Sequence, residues 1–206
     1  MSSHSGAPRS PARVEAFSDG VLAIVITLLV LELHVPHLFN AVSGREAWEA
    51  LRLLTPKFAS FLLSFAYVAV FWVNHHHFFD LVEDASPGLV WLNNLLLLFL
   101  CFVPFPTAFI GEYPANPAAL ALFALVLMGA GLAFTAMWRY AARRGLLVPS
   151  ARSGLAKEAV SRGLLGPPLY ALAAGGAFAA PWIAWAVFVA VPLFFFFHST
   201  KRLRSG

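Results

Sequence analysis

Arg13-Val-Glu-Ala-Phe17-Ser18-Asp19-Gly20 runs without interruption into Val21-Leu-Ala-Ile24-Val-Ile-Thr27-Leu28-Leu-Val-Leu31-Glu-Leu33, and the reading of this junction decides the fold. Roughly 20 consecutive apolar residues are enough to cross a bilayer as a helix, so Phe17 to Val35 reads as a membrane span. An arginine, a hydroxyl and a carboxylate then stand at its mouth. Ionised groups at that depth are expensive, so a carboxylate one turn into a span calls for a partner and marks a task.

The rest of the chain agrees with a membrane setting. Of its 206 residues, 60% are apolar and 12% charged, with a mean hydropathy of +0.75. A soluble domain needs a polar surface that this composition does not supply, whereas lipid tails accept Leu, Phe and Ala. The expected fold class is therefore an all-α integral membrane protein. Six candidate spans can be drawn: Phe17 to Val35, Lys57 to Asn74, Leu89 to Ile110, Pro117 to Arg139, Leu164 to Ala180, and Pro181 to His198. Pro167, Pro168, Pro181 and Pro192 interrupt the last two, which are expected to kink where neighbours satisfy the freed carbonyls. Residues 1–16 lack an apolar core and read as a cytoplasmic N-terminal segment, not a signal peptide; 17–198 form the membrane domain and 199–206 a basic tail. The single Cys101 lies in an apolar run and reads as a small packing residue, without a disulfide or thiolate metal site.

Lysine and arginine set the orientation. With the N-terminus inside, the cytoplasmic segments hold Arg9, Arg13, the run Arg139, Arg143, Arg144, Arg152, Lys157 and Arg162, and Lys201, Arg202 and Arg204, against Arg45, Arg52 and Lys57 outside. This bias places both termini in the cytoplasm of a multi-pass plasma-membrane protein. It also accounts for a net charge of +4 and a pI near 9.6 without nucleic acid as a partner; membrane lipids are the expected neighbours.

Antiparallel spans bring the scattered polar residues to one depth. Arg13, Ser18 and Asp19 start the first span, Trp72, Asn74, His75, His76 and His77 end the second, and Trp91, Asn93 and Asn94 start the third. A hydrogen-bonded cluster in which Asp19 accepts from Arg13, a histidine or an indole would clamp three helices. Interface anchoring by Trp and snorkelling by Arg is the simpler alternative for some of them. Consecutive residues on a helix point about 100° apart, so the three histidines cannot share one ion. His76 and Asp80 have i, i+4 spacing, but two ligands make no site, and neither H-E-x-x-H nor G-x-S-x-G occurs. No enzyme, metal or cofactor is expected.

Along the first span, Gly20, Ile24, Thr27, Leu28, Leu31 and Val35 share one helical face, and Leu22, Ile26, Leu29 and Leu33 the opposite one. If the first face lines a conduction path, aliphatic rings would close it by dewetting and a threonine ring would replace part of an ion's hydration shell. One helix cannot surround a path, so this reading requires identical copies about an axis. A proton-coupled or proton-conducting transporter using the Asp/His cluster is the alternative.

The pattern R-x3-F-S-D followed by this helix resembles the signature of the transmembrane protein 175 family, potassium-permeable channels of animal endolysosomes and their bacterial relatives. Phe71-Trp72-Val73-Asn74-His75-His76 and Asn93-Asn94 through Val103-Pro104-Phe105-Pro106-Thr107 agree in the same order. The resemblance implies a homotetramer of six-helix subunits, passing K⁺ weakly in preference to Na⁺ through a pore lined by the first helix, with no T-V-G-Y-G filter. It implies a gate at Ile24, Leu28 and Leu31 and selectivity at Thr27. It further implies a signature network of Arg13, Phe17, Ser18, Asp19, Trp72, Asn74, His75, His76 and His77, with the histidine that reaches the first helix left open.

Overall fold

The computed structural model describes residues 10–35, 43–152 and 154–203, with side chains to Phe197. All of the regular structure there is helical: α1 Ala12–Leu31, α2 Gly44–Leu53, α3 Thr55–Phe79, α4 Pro87–Phe102, α5 Pro104–Glu112, α6 Pro117–Arg144, α7 Pro149–Arg152, α8 Leu155–Gly163, α9 Gly166–Ala179 and α10 Pro181–Leu203. Arg9 and Arg204 lie outside the described residues.

The long helix α6 is the central post. Asn116 caps it, accepting from the amides of Ala118 and Ala119 at 2.9 and 3.3 Å, and Pro117 fills the first helical position, where no N–H is missed. It stops at Gly145, whose φ of +67° is a left-handed conformation that residues with a Cβ adopt only with strain. Its buried stripe, Leu120, Phe123, Leu127, Ala130 and Met137, recurs at helical spacing. α4 packs on one side of this post, α9 and α10 on another. Gly129 allows the close approach of α4, because a Cβ there would sit 2.3 Å from the Phe99 ring. α3 joins α5 and α10, and α1 lies at the edge against α3, α4 and α5. Between membrane helices the attraction comes from packing and polar bonds, since lipid tails are as apolar as the side chains.

Four helical stretches are long and apolar enough to cross a membrane: Ala12–Leu31, Thr55–Phe79, Pro87–Glu112 and Pro117–Arg144. The third is bent. Pro104 cannot donate to Leu100, and the chain tightens there, with the Val103 amide bonding Leu100 O at 3.1 Å. Below the bend, Ser64 donates to the Thr107 hydroxyl at 2.7 Å, because Thr107 spends its own proton on Val103 O. The expected fifth span is shorter than drawn: α9 holds 14 residues, a rise of about 21 Å against a core of about 30 Å. Its start is delayed by Leu164 and Leu165, and Pro167 and Pro168 fall in its first turn.

α10 carries Pro192 inside the helix. A proline there removes the bond to the carbonyl four residues earlier, that of Phe188. Tyr67 of α3 donates its hydroxyl to that carbonyl at 3.0 Å, so the freed acceptor is satisfied from a distant helix.

Two of the segments between the drawn spans are themselves helical. α2 is an amphipathic helix whose Trp48, Leu51 and Leu53 are exposed, and it opens with a reciprocal cap between Ser43 and Glu46. The basic run Arg139 to Arg162 is mostly helical, in the end of α6, α7 and α8. Arg152 turns inward to donate to Leu147 O at 2.6 Å, Gly145 O at 3.2 Å and Glu83 at 3.0 Å. It thereby locks a two-residue bridge, Val82 to Leu147, between the α3–α4 and α6–α7 connections.

Candidate pore helix and its polar clasp

A directional chain of hydrogen bonds joins α1, α3 and α4. Ser18 donates to Val14 O at 2.8 Å within α1, so its oxygen can only accept from elsewhere. Asn93 Nδ2 of α4 donates to it at 2.9 Å, and this places Asn93 Oδ1 toward His75 Nε2 of α3, 2.8 Å away. Two acceptors in sequence fix the histidine as the Nε2–H tautomer. Ser18, Asn93 and His75 are all fully buried. His75 Nδ1 has no hydrogen-bond partner among the described residues, so the ring is held by one bond and by Phe79, whose ring centre is 4.7 Å away.

A second, more exposed layer lies beside it. The Trp72 indole donates to Asp19 Oδ1 at 3.0 Å, which answers the sequence expectation of an indole partner for that carboxylate. His76 Nδ1 lies 2.9 Å from Glu15 Oε1, and its ring stacks on Trp72 at 6.2 Å and 17°. Its Nε2 is 3.8 Å from Asp80. Glu15, His76 and Asp80 bring three potential metal-ligand atoms within 4.8 Å of one another, so the pair read from the sequence gains a third member. The Glu15 contact to His76 is complete without an ion.

Several expected members of the signature network sit elsewhere. Arg13 is exposed and forms no ion pair with Asp19 among the described residues. Phe17 is 60% exposed and points away from the bundle. Asn74 and His77 belong to another face of α3, where both line a cavity against α6 and α8. The reason is helical geometry: 74 and 77 share one side, three residues apart, whereas 72, 75 and 76 point toward α1 and α4. Asn74 donates to Val70 O at 2.7 Å.

The sequence reading missed Glu15. Its signal was present, since Glu15 precedes Asp19 by four residues and shares its face.

Above the clasp, α1 is divided lengthwise. Leu22, Val25 and Leu29 are buried, whereas Ile24 is 59% and Leu31 66% exposed, with Gly20, Thr27, Leu28 and Val35 also exposed. Ile24, Leu28 and Leu31 form one stripe, about 6 Å and then about 4.5 Å apart along the axis. Thr27 lies beside it and donates to Ile24 O at 2.8 Å, which leaves the hydroxyl oxygen's lone pairs to face outward.

The geometry defines a helical membrane protein whose edge helix is clasped at one end and bare along one stripe. The family described as the endosomal/lysosomal potassium channel TMEM175 matches residues 13–104. A potassium channel of Chamaesiphon minutus is 36% identical over 191 residues, which is 91% of this chain and 94% of that one. The crystal structure of a lysosomal potassium-selective channel TMEM175 homolog from Chamaesiphon minutus superimposes with a TM-score of 0.80 at 34% identity, covering 91% of this chain and 97% of that one. The endosomal/lysosomal proton channel TMEM175 of Homo sapiens is 38% identical over 102 residues, 47% of this chain and 20% of its own length. The chain belongs to the TMEM175 family of ion channels.

Proposed function

We propose that four copies of this chain form a passive potassium channel, weakly selective over sodium, in a bacterial plasma membrane. Each subunit contributes six spans, residues 17–198, between a cytoplasmic segment, 1–16, and a cytoplasmic tail, 199–206; α9 and α10 act as the fifth and sixth. The first helices surround the axis. Ile24, Leu28 and Leu31 form the constriction, and Thr27 supplies oxygens that replace part of the hydration shell of K⁺. No cofactor takes part; the partners are the other copies, lipid and the permeant ion.

The observation that carries this reading is the lengthwise division of α1. The helix buries Leu22, Val25 and Leu29 in its own bundle and leaves the opposite stripe uncovered at the bundle's edge, where a neighbouring copy can meet it. The names of the bacterial relative and of its solved homolog support potassium as the ion. The clasp around Ser18 and Asp19 would set the rotation of α1 and hence which side chains face the axis.

Purified protein reconstituted in liposomes should pass K⁺ down its gradient, and Ile24→Asn or Leu31→Asn should raise the flux several-fold by wetting the constriction. Unchanged flux in both variants would overturn the gate. The human relative's description as a proton channel makes proton permeation the second reading. Recording with K⁺ and Na⁺ on opposite sides and a pH step across the membrane separates them: a reversal potential that follows the proton gradient and ignores K⁺ would favour the alternative.

A further inference from the structure

On the side of α3 turned away from α1, a cavity of about 110 Å³ opens between α3, α6, α8, α9 and α10. One end is polar. Arg162 of α8 reaches it with a side chain only 20% exposed, paired with a more exposed Glu158. His77 Nε2 is buried at the same place and has no hydrogen-bond partner among the described residues, while its Nδ1 lies 3.8 Å from Asp80. Asn74 borders both. Much of the remaining wall is apolar, with Phe71, Phe134, Trp138, Val191 and Phe195 beside the hydroxyl-bearing Tyr67, Thr135 and Tyr170. Gly131 of α6, where an added Cβ would meet nothing within 4 Å, and Pro192 of α10 both border the space.

We propose that this cavity is a binding site for an anionic membrane lipid, with the phosphate on Arg162 and His77 and an acyl chain along the aromatic wall. A guanidinium has five donors in a fixed fork and serves a phosphate beside a carboxylate. An imidazole with its proton on Nε2 can donate it to a phosphate oxygen, which gives this buried nitrogen a partner. A buried nitrogen without a partner is costly, and an acceptor oxygen at this spot removes the cost. The volume takes a phosphate-sized group with a few attached carbons. A free anion would gain nothing from five apolar side chains, which is why the occupant is a lipid and not a soluble phosphate. The site lies outside the α1 stripe, so its test does not depend on conduction.

The full-length protein in a neutral maltoside detergent should unfold at a higher temperature with lysophosphatidic acid, and show no such rise with lysophosphatidylcholine or inorganic phosphate. Gly131→Leu fills the cavity from a position with room for it; it should keep the unliganded midpoint and lose the rise. Arg162→Gln should weaken the apparent affinity by about tenfold or more, the loss of a charge-assisted contact. An equal rise in the wild type and Gly131→Leu, or no rise in either, would overturn the site. A rise with inorganic phosphate alone would overturn the lipid assignment.

Discussion

Asn93 is the residue on which the clasp turns, because it spends both ends of its amide on other helices. Asn93→Leu keeps the branched outline without the polar atoms and strands the His75 Nε2–H and the Ser18 oxygen together. Each buried group left without its partner costs about 1–3 kcal/mol, so a fall in the midpoint of thermal unfolding by several degrees is expected. Trp72→Phe removes only the more exposed bond to Asp19 and should shift the midpoint far less; equal losses in the two variants would argue against a buried chain of bonds. At this scale the sequence was generous about which residues meet and poor about how. The polar residues of three spans were legible as one layer because so few polar residues occur in the chain at all. Which histidine reaches α1 was not, since three adjacent imidazoles differ only by 100° steps whose starting angle is set by packing. The answer, His76 directly on Glu15 and His75 through Asn93, needed the rotation of α3, and the same rotation sent Asn74 and His77 to the opposite side.

Among the elements, α10 shows how a break in a helix is made tolerable. The carbonyl freed by Pro192 receives the Tyr67 hydroxyl, so Tyr67→Phe should cost about 1 kcal/mol, the range of polar bonds between membrane helices. Pro192→Ala restores an N–H for the same carbonyl. In a double-mutant cycle the Tyr67→Phe penalty should therefore shrink in the Pro192→Ala background, as measured by denaturant or thermal unfolding of the purified protein. An additive cycle would show that the two residues act independently. α2 offers a smaller test. The amide and hydroxyl of Ser43 hold the Glu46 carboxyl below its ordinary value of 4.5. A lowered pKa means that the cap is complete above 4.5 and is lost as pH falls through the folded value, so amide exchange at the start of α2 should quicken only below 4.5. The carbonyls that prolines leave without their helical partner were readable in advance because proline chemistry is local. The length of α9 and the helical nature of the basic segment were not, since hydropathy marks where lipid can lie and not where a helix must begin.

For the whole molecule, the distribution of Lys and Arg predicts a sidedness that labelling can check. In a Cys101→Ala background, Glu49→Cys should react with a membrane-impermeant thiol reagent on intact cells, and Lys157→Cys only after permeabilisation; the reverse pattern would invert the topology. Both positions are exposed, so access is decided by side alone. The class of protein could be read from composition and from one junction, because a bilayer imposes length and hydropathy on every span. The packing of α4, α9 and α10 on the α6 post could not, being a matter of side-chain fit such as Gly129 under Phe99. The link between Tyr67 and Phe188 also has a temporal side. These partners are 121 positions apart, and at about 5–20 residues per second a ribosome needs on the order of ten seconds between them. A hydroxyl inserted early thus waits in the nascent bundle for an acceptor that arrives with the final helix. Chains cut short before that helix would keep their early spans but lack the bolt that closes them, which makes truncated products natural targets for quality-control proteolysis.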